Sequence, residues 1–291
     1  MRRYVETVKE VLGGSRLAAY GCDAGPVSTD RTLRTTFDHA AERYLSARPA
    51  YPSALYDDLV TLAGLHAPAD LLEVGCGPGN ATLPLARQGH RITALELGPV
   101  LADQARHTLA EHPDVMVVTT GFEEWQPPEG AFDLVYAATA WHWIDPAVGW
   151  AKAASLLKPG GHFAIWSAGH AFPEDFDPIF SQLQRVYEEI GEPRIEPWPP
   201  APPRLDDEAY ELPPAGAEHF EIRAVRRYLW ALRYTAESYL ALLDTFSGHI
   251  AMTPPQRDRL YGEVRRLLAE RPDGELTRHW SATLTVAVPR R

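Results

Sequence analysis

From residue 70 onward, apolar runs of strand length alternate with stretches of helical spacing. Asp70–Val74 predicts a short buried strand, and helical spacing follows from Asn80 to Gln88. A second strand is predicted from Arg91 to about Leu95, followed by a helix to about Glu111. Val115–Thr119 and Phe132–Ala137 read as the third and fourth strands. Asp145-Pro146 reads as a helix start, with Asp as N-cap and Pro at the first helical position, and that helix runs to about Leu157. Lys158–Gly161 is a turn and His162–Trp166 a fifth strand. Phe220–Trp230 and Leu276–Val288 read as further strands, with helices at Ala236–Thr245 and Pro254–Glu270. Strands alternating with helices imply an α/β fold, a parallel sheet covered on both faces.

Two regions break the rhythm. Residues 1–35 read as an extension, with a short helix at 3–12 and then glycine-rich turns. Residues 36–65 read as helical, interrupted at Pro49-Ala50-Tyr51-Pro52. Regularity fails again at 169–218, where eight prolines fall between Pro193 and Pro214. That stretch is either a surface excursion or a substrate lid. The expected organisation is therefore an extension at 1–35 and one domain at 36–291, with 169–218 inserted as the lid.

Charge and composition narrow the partners. Of 291 residues, 39 are acidic and 28 are Lys or Arg, giving a net charge of -11. A nucleic-acid partner is not expected, because phosphate binding draws on clustered positive charge. No run of about 18 apolar residues predicts a membrane span, and no apolar signal core follows Met1-Arg2-Arg3. The two cysteines, Cys22 and Cys76, cannot form a disulfide framework and suit a reducing, cytoplasmic setting. No metal-ligand spacing such as His-x-x-x-His or Cys-x-x-Cys occurs, so no metal is expected.

The chemistry concentrates after the first strand. Glu73-Val74-Gly75-Cys76-Gly77-Pro78-Gly79-Asn80 stands where a strand hands over to a helix. Glycines there let the backbone approach a ligand closely, and helix N–H groups face it. Glu96 ends the next strand, 17 positions after Gly79. A carboxylate there can accept both hydroxyls of a ribose. A dinucleotide loop would carry its last glycine where this chain has Asn80.

The glycine loop, Phe132-Asp133-Leu134-Val135 and Leu157–Gly161 come in the order seen in class I S-adenosylmethionine (SAM)-dependent methyltransferases, which this chain resembles. The resemblance is to small-molecule members of the trans-aconitate and ubiquinone type. It implies a Rossmann-like, seven-stranded, mostly parallel sheet with helices on both faces. It implies SAM as cofactor and S-adenosylhomocysteine (SAH) as product. Gly75, Gly77 and Gly79 would surround the methionine part of SAM, with Glu73, Cys76 and Ala138 beside it. Glu96 would hold the ribose, and Leu97 would touch the adenine. The family's adenine-binding Asp is replaced by Phe122, so packing on Phe122 or a bond from Glu123 would take over. Tyr44 and Arg48 resemble residues of a helix that closes over SAM. Arg48 would pair with the methionine carboxylate, and Tyr44 would line the methyl-transfer channel.

The loop Ala137–Pro146 follows the fourth strand, where an open α/β sheet binds its ligands. It lacks the Asn/Asp-Pro-Pro-Tyr/Phe run of amino-group methyltransferases and the Pro-Cys pair of cytosine-carbon enzymes. His142 reads either as a general base or as a packing residue between Trp141 and Trp143. Trp141, Trp143, the 169–218 insertion and the C-terminal elements around Tyr228, Trp230 and Phe246 are the expected acceptor walls. The function expected is methyl transfer to O, N or C of a small organic acceptor, with a natural product in view. The rivals are an NAD(P)-dependent oxidoreductase and a catalytically silent SAM-binding protein. The extension at 1–35 would fold over the pocket or pair with a second copy of the chain.

Overall fold

The computed structural model describes residues 47–192, 197–206 and 210–290. Tyr44, the extension at 1–35 and the start of the helical stretch at 36–65 lie outside the described residues. Seven strands form one sheet: β1 (Asp70–Val74), β2 (Arg91–Glu96), β3 (Val115–Thr119), β4 (Phe132–Ala138), β5 (Leu157–Ala171), β6 (Phe220–Thr235) and β7 (Glu275–Pro289). Their order is β3-β2-β1-β4-β5-β7-β6. β1 to β5 pair in parallel, and β7 runs antiparallel to both β5 and β6. The sheet is thus the expected seven-stranded, mostly parallel one. The strand order reverses between β1 and β4, which opens a crevice at the C-terminal ends of the strands.

The helices are α1 (Ser53–Leu62), α2 (Thr82–Arg87), α3 (Pro99–Thr108), α4 (Pro146–Leu156), α5 (Ile179–Glu189), α6 (Pro214–His219), α7 (Ala236–Leu243), α8 (Ser247–Ile250) and α9 (Pro254–Ala269). Alternation along β1 shows how two layers form around the sheet. Leu71 packs with Leu55, Leu59 and Leu85 of α1 and α2. Leu72 and Val74 point the other way, into a cluster with Trp150 of α4 and Phe163 of β5. Each such leucine contributes roughly 1.5–3 kcal/mol by leaving water. α4 starts as its sequence predicts: the Asp145 carboxylate accepts the Ala147 N–H at 2.9 Å, with Pro146 at the first position.

The stretch 169–218 departs from the expectation of an irregular excursion. Its start completes β5, and α5 lies inside it. β5, β6 and β7 run 15, 16 and 15 residues against five in β1, so their ends overhang the rest of the sheet. A sheet face left bare in this way needs an apolar cover. Ile179, Phe180, Leu183 and Val186 of α5 supply it, together with Leu240 and Leu243 of α7 and Leu260 and Val264 of α9. This third core abuts the crevice through Phe246 and Trp280.

Candidate active site

A cavity lies in the crevice, lined by the glycine loop and Glu96 together with Arg48, His142, Trp143, Phe246, Arg278 and Trp280. The glycine loop comes close to the loop after β4. A Cβ on Gly75, at φ +71°, would lie 2.7 Å from the Ala140 Cβ. A Cβ on Gly77, at φ +54°, would meet nothing within 4 Å, so this amide borders open cavity. The left-handed backbone at both positions favours glycine.

Glu96 is 8% exposed and bridges the loop. Its Oε2 accepts the Gly77 N–H and its Oε1 the Gly98 N–H, both at 2.8 Å. Glu73 is fully buried; its Oε2 accepts the Thr82 hydroxyl at 2.6 Å and the Tyr136 hydroxyl at 2.8 Å. Burial pushes its carboxyl up to about 7. Glu73 Oε1 is buried without a hydrogen-bond partner and belongs to a residue that lines the cavity.

Several expected site residues meet here. Arg48, Glu73, Gly75, Cys76, Gly77, Glu96, Leu97, Phe122, Ala138, His142 and Trp143 all border the cavity. The Arg48 guanidinium donates to Thr245 Oγ1 at 2.9 Å and to the Thr245 carbonyl at 3.1 Å, and lies 4.1 Å from the Phe246 ring centroid. The His142 ring is tilted against Trp143 at 4.9 Å. Burial, and then the nearby Arg48 charge, push the His142 pKa down to about 4. The imidazole is therefore neutral at pH 7, with a lone pair for a proton.

Other expected residues lie away from the cavity. Gly79 faces Leu109, 3.2 Å from where its Cβ would be. Glu123 is turned to the start of α4, where it accepts the Asp145 N–H at 3.1 Å. Trp141 points into the core, 5.0 Å from Trp150 and 4.8 Å from Phe163, because the 3-10 turn Trp141–Trp143 separates its two indoles. Tyr228 donates to Asp58 Oδ2 at 2.6 Å and packs against the core of α1 and α2. Trp230 sits behind the wall, stacked at 6.4 Å on Trp280.

Sequence reasoning missed Tyr51, Thr139, Arg278 and Trp280, all of which line the cavity. Tyr51 and Thr139 share a 2.6 Å hydroxyl hydrogen bond. Thr139 has φ 54°, a conformation uncommon outside glycine, at the turn that follows β4. A charged residue in the apolar alternation Leu276-Thr277-Arg278-His279-Trp280 was the signal for Arg278.

Residues 72–165 match the family described as a methyltransferase domain. An uncharacterized methyltransferase of Mycobacterium tuberculosis is 30% identical over 161 residues, 51% of this chain and 63% of that protein. The match thus spans less than two thirds of that relative. Trans-aconitate 2-methyltransferase of Escherichia coli is 33% identical over 129 residues, 43% of this chain and 46% of that enzyme. The fold is also that of a candidate type II methyltransferase from Anaeromyxobacter dehalogenans, with a TM-score of 0.56, 23% identity, and coverage of 82% of this chain and 97% of that one. Residues 72–165 therefore carry a methyltransferase domain, a family whose cofactor is SAM. The residues present fit that cofactor: Gly77 opens on the cavity, the Glu96 carboxylate borders it beside the Gly77 amide, and Leu97, Leu101 and Phe122 offer an apolar wall. Among the described residues no group of three or more His, Cys, Asp or Glu could hold a metal ion, and no helix is long and apolar enough to cross a membrane.

Proposed function

We propose that this protein transfers a methyl group from SAM to a small organic acceptor bound in the crevice. The observation that carries the reading is the continuity of one cavity. The glycine loop and Glu96 line it together with His142, Trp143 and Phe246. When bound, SAM supplies a methyl group already activated on a sulfonium. The protein's task is alignment and exclusion of water. Glu96 and the loop amides fix the ribose and methionine parts, and Phe122 takes the adenine by packing. Arg48 reaches the methionine carboxylate from the far side. His142, neutral at pH 7, accepts the proton that an O–H, N–H or C–H acceptor releases. On this reading residues 36–291 act as one catalytic domain, and 169–218 covers the acceptor.

Calorimetric titration with SAM, SAH and NADH tests the cofactor. SAM and SAH are expected to bind and NADH is not; NADH binding without SAM would overturn the reading. Label transfer from methyl-labelled SAM into an acceptor library tests the activity. SAM binding without turnover on any member would mark a catalytically silent protein.

A further inference from the structure

Arg278 is unlike every other residue in its row. The inward positions of β7 run Leu276, Arg278, Trp280, Ala282 and Leu284, all apolar except this one. Arg278 is 5% exposed and is one of the residues that line the cavity. Its guanidinium sits 4.3 Å from the Trp280 ring centroid and 5.3 Å from that of Phe246. Its Nε is buried without a hydrogen-bond partner, and among the described residues no carboxylate pairs with it. A buried arginine is ordinarily paired, because desolvating the charge alone is unfavourable.

Among the described residues, the groups packed around Arg278 supply no counter-charge. The Arg48 guanidinium lies against the same Phe246 ring. His170 and His249 are pushed toward the neutral form, first by burial and then by the Arg278 charge. The two carboxylates that line the cavity, Glu73 and Glu96, are held elsewhere, by Thr82 and Tyr136 and by the amides of Gly77 and Gly98.

We propose that Arg278 anchors a carboxylate of the acceptor, so that the substrates of this enzyme are organic acids. The proposal rests on the methyl-transfer reading above. A guanidinium presents its donors as a planar fork that matches a carboxylate at two points. The Trp280 and Phe246 rings hold that plane in place. Arg48 strengthens the positive field, but two of its nitrogens already bond to Thr245, so the two-point contact falls to Arg278. Arg278 binds the acceptor without reacting, and the aromatic rings beside it suit an apolar body next to the acid group.

The test titrates the protein calorimetrically, with and without saturating SAH, using acids and their neutral amides. The pairs are benzoate and benzamide, phenylacetate and phenylacetamide, and adipate and adipamide. At least one acid is expected to bind about 10- to 150-fold tighter than its amide, the range of a hydrogen bond to a charged group. Arg278→Gln should erase that preference while the SAH affinity stays within about twofold. Should Arg278→Gln fail to fold, Arg278→Lys keeps the charge without the fork and should weaken the acid while preserving SAH binding. Equal binding of acids and amides, no binding of any acid, or an unchanged preference in both variants would overturn the proposal. So would loss of SAH binding in a folded variant, which would move Arg278 to the cofactor. Failure of the methyltransferase reading is distinguishable: the unmodified protein would not bind SAH, whatever the acids do.

Discussion

The Glu96 carboxylate and the Gly77 amide, on different strand ends, are joined by a 2.8 Å hydrogen bond across the mouth of the crevice. On the proposed reading the bond couples ribose recognition to the shape of the glycine loop, because one carboxylate would serve both. Glu96→Ala is therefore expected to weaken SAH binding by about 1–3 kcal/mol, the value of hydrogen bonds to a charged group. Glu96→Gln keeps one acceptor oxygen and should lose less. Calorimetry on both variants checks this, and unchanged affinity in the alanine variant would remove Glu96 from the site.

Gly77→Arg separates binding from folding. The position has open space in front of it but a left-handed backbone, so an arginine would cost roughly 1–2 kcal/mol of strain and fill the cavity. A cooperative thermal transition should survive while SAH binding vanishes. Gly75→Ala should behave differently, because its Cβ would meet Ala140 at 2.7 Å. That substitution is expected to lower the melting temperature as well. Retained SAH affinity in folded Gly77→Arg would contradict the assignment of the loop.

Glu96 was legible because strand length and loop spacing fix its place whatever the tertiary details. The sheet was legible for the same reason: period-two runs and helical runs alternate. The far wall was not. Tyr228 and Trp230 share a strand with the right composition, but which face of β6 meets the crevice depends on how far β5, β6 and β7 overhang the sheet. Trp141 and Trp143 differ by two positions, and only the turn between them sends one indole to the core and the other to the cavity. α5 was hidden by the prolines that follow it, although its apolar positions already had helical spacing. Arg278 was visible as a charge in an apolar alternation, a pattern that reads first as a strand and only then as a site.

His142 as base predicts a particular pH profile. Its pKa is pushed down to about 4, so the neutral, proton-accepting form is full above roughly pH 5. The rate at saturating SAM should rise between about pH 3 and pH 5 and show no histidine break near 6.5. His142→Ala should lower the rate about 10²–10⁴-fold with SAH affinity retained. A break near 6.5 that vanishes in the variant would refute the depressed basicity. A small rate effect would leave His142 as a packing residue beside Trp143.

Acid stability gives a last measurement, independent of any ligand. His249 is held near pKa 4 by burial and by the charges of Arg278 and Arg257, and its Nε2 hydrogen-bonds the Tyr187 hydroxyl at 2.8 Å. In the unfolded chain it titrates near 6.5. Between pH 6.5 and about 4 the unfolded state therefore binds a proton that the folded state refuses, and stability falls as pH falls through that window. The loss attributable to one such group is at most about 3 kcal/mol. Glu73 slopes the other way: its carboxyl, raised to about 7 by burial, makes the folded state lose stability as pH rises from about 4.5 to 7. His249→Gln removes one acid-sensitive group and leaves Glu73 in place. The urea midpoint at pH 4.5, taken relative to that at pH 7.5, should accordingly be higher in the variant than in the unmodified protein, and an unchanged difference would show that His249 charges freely in the folded state.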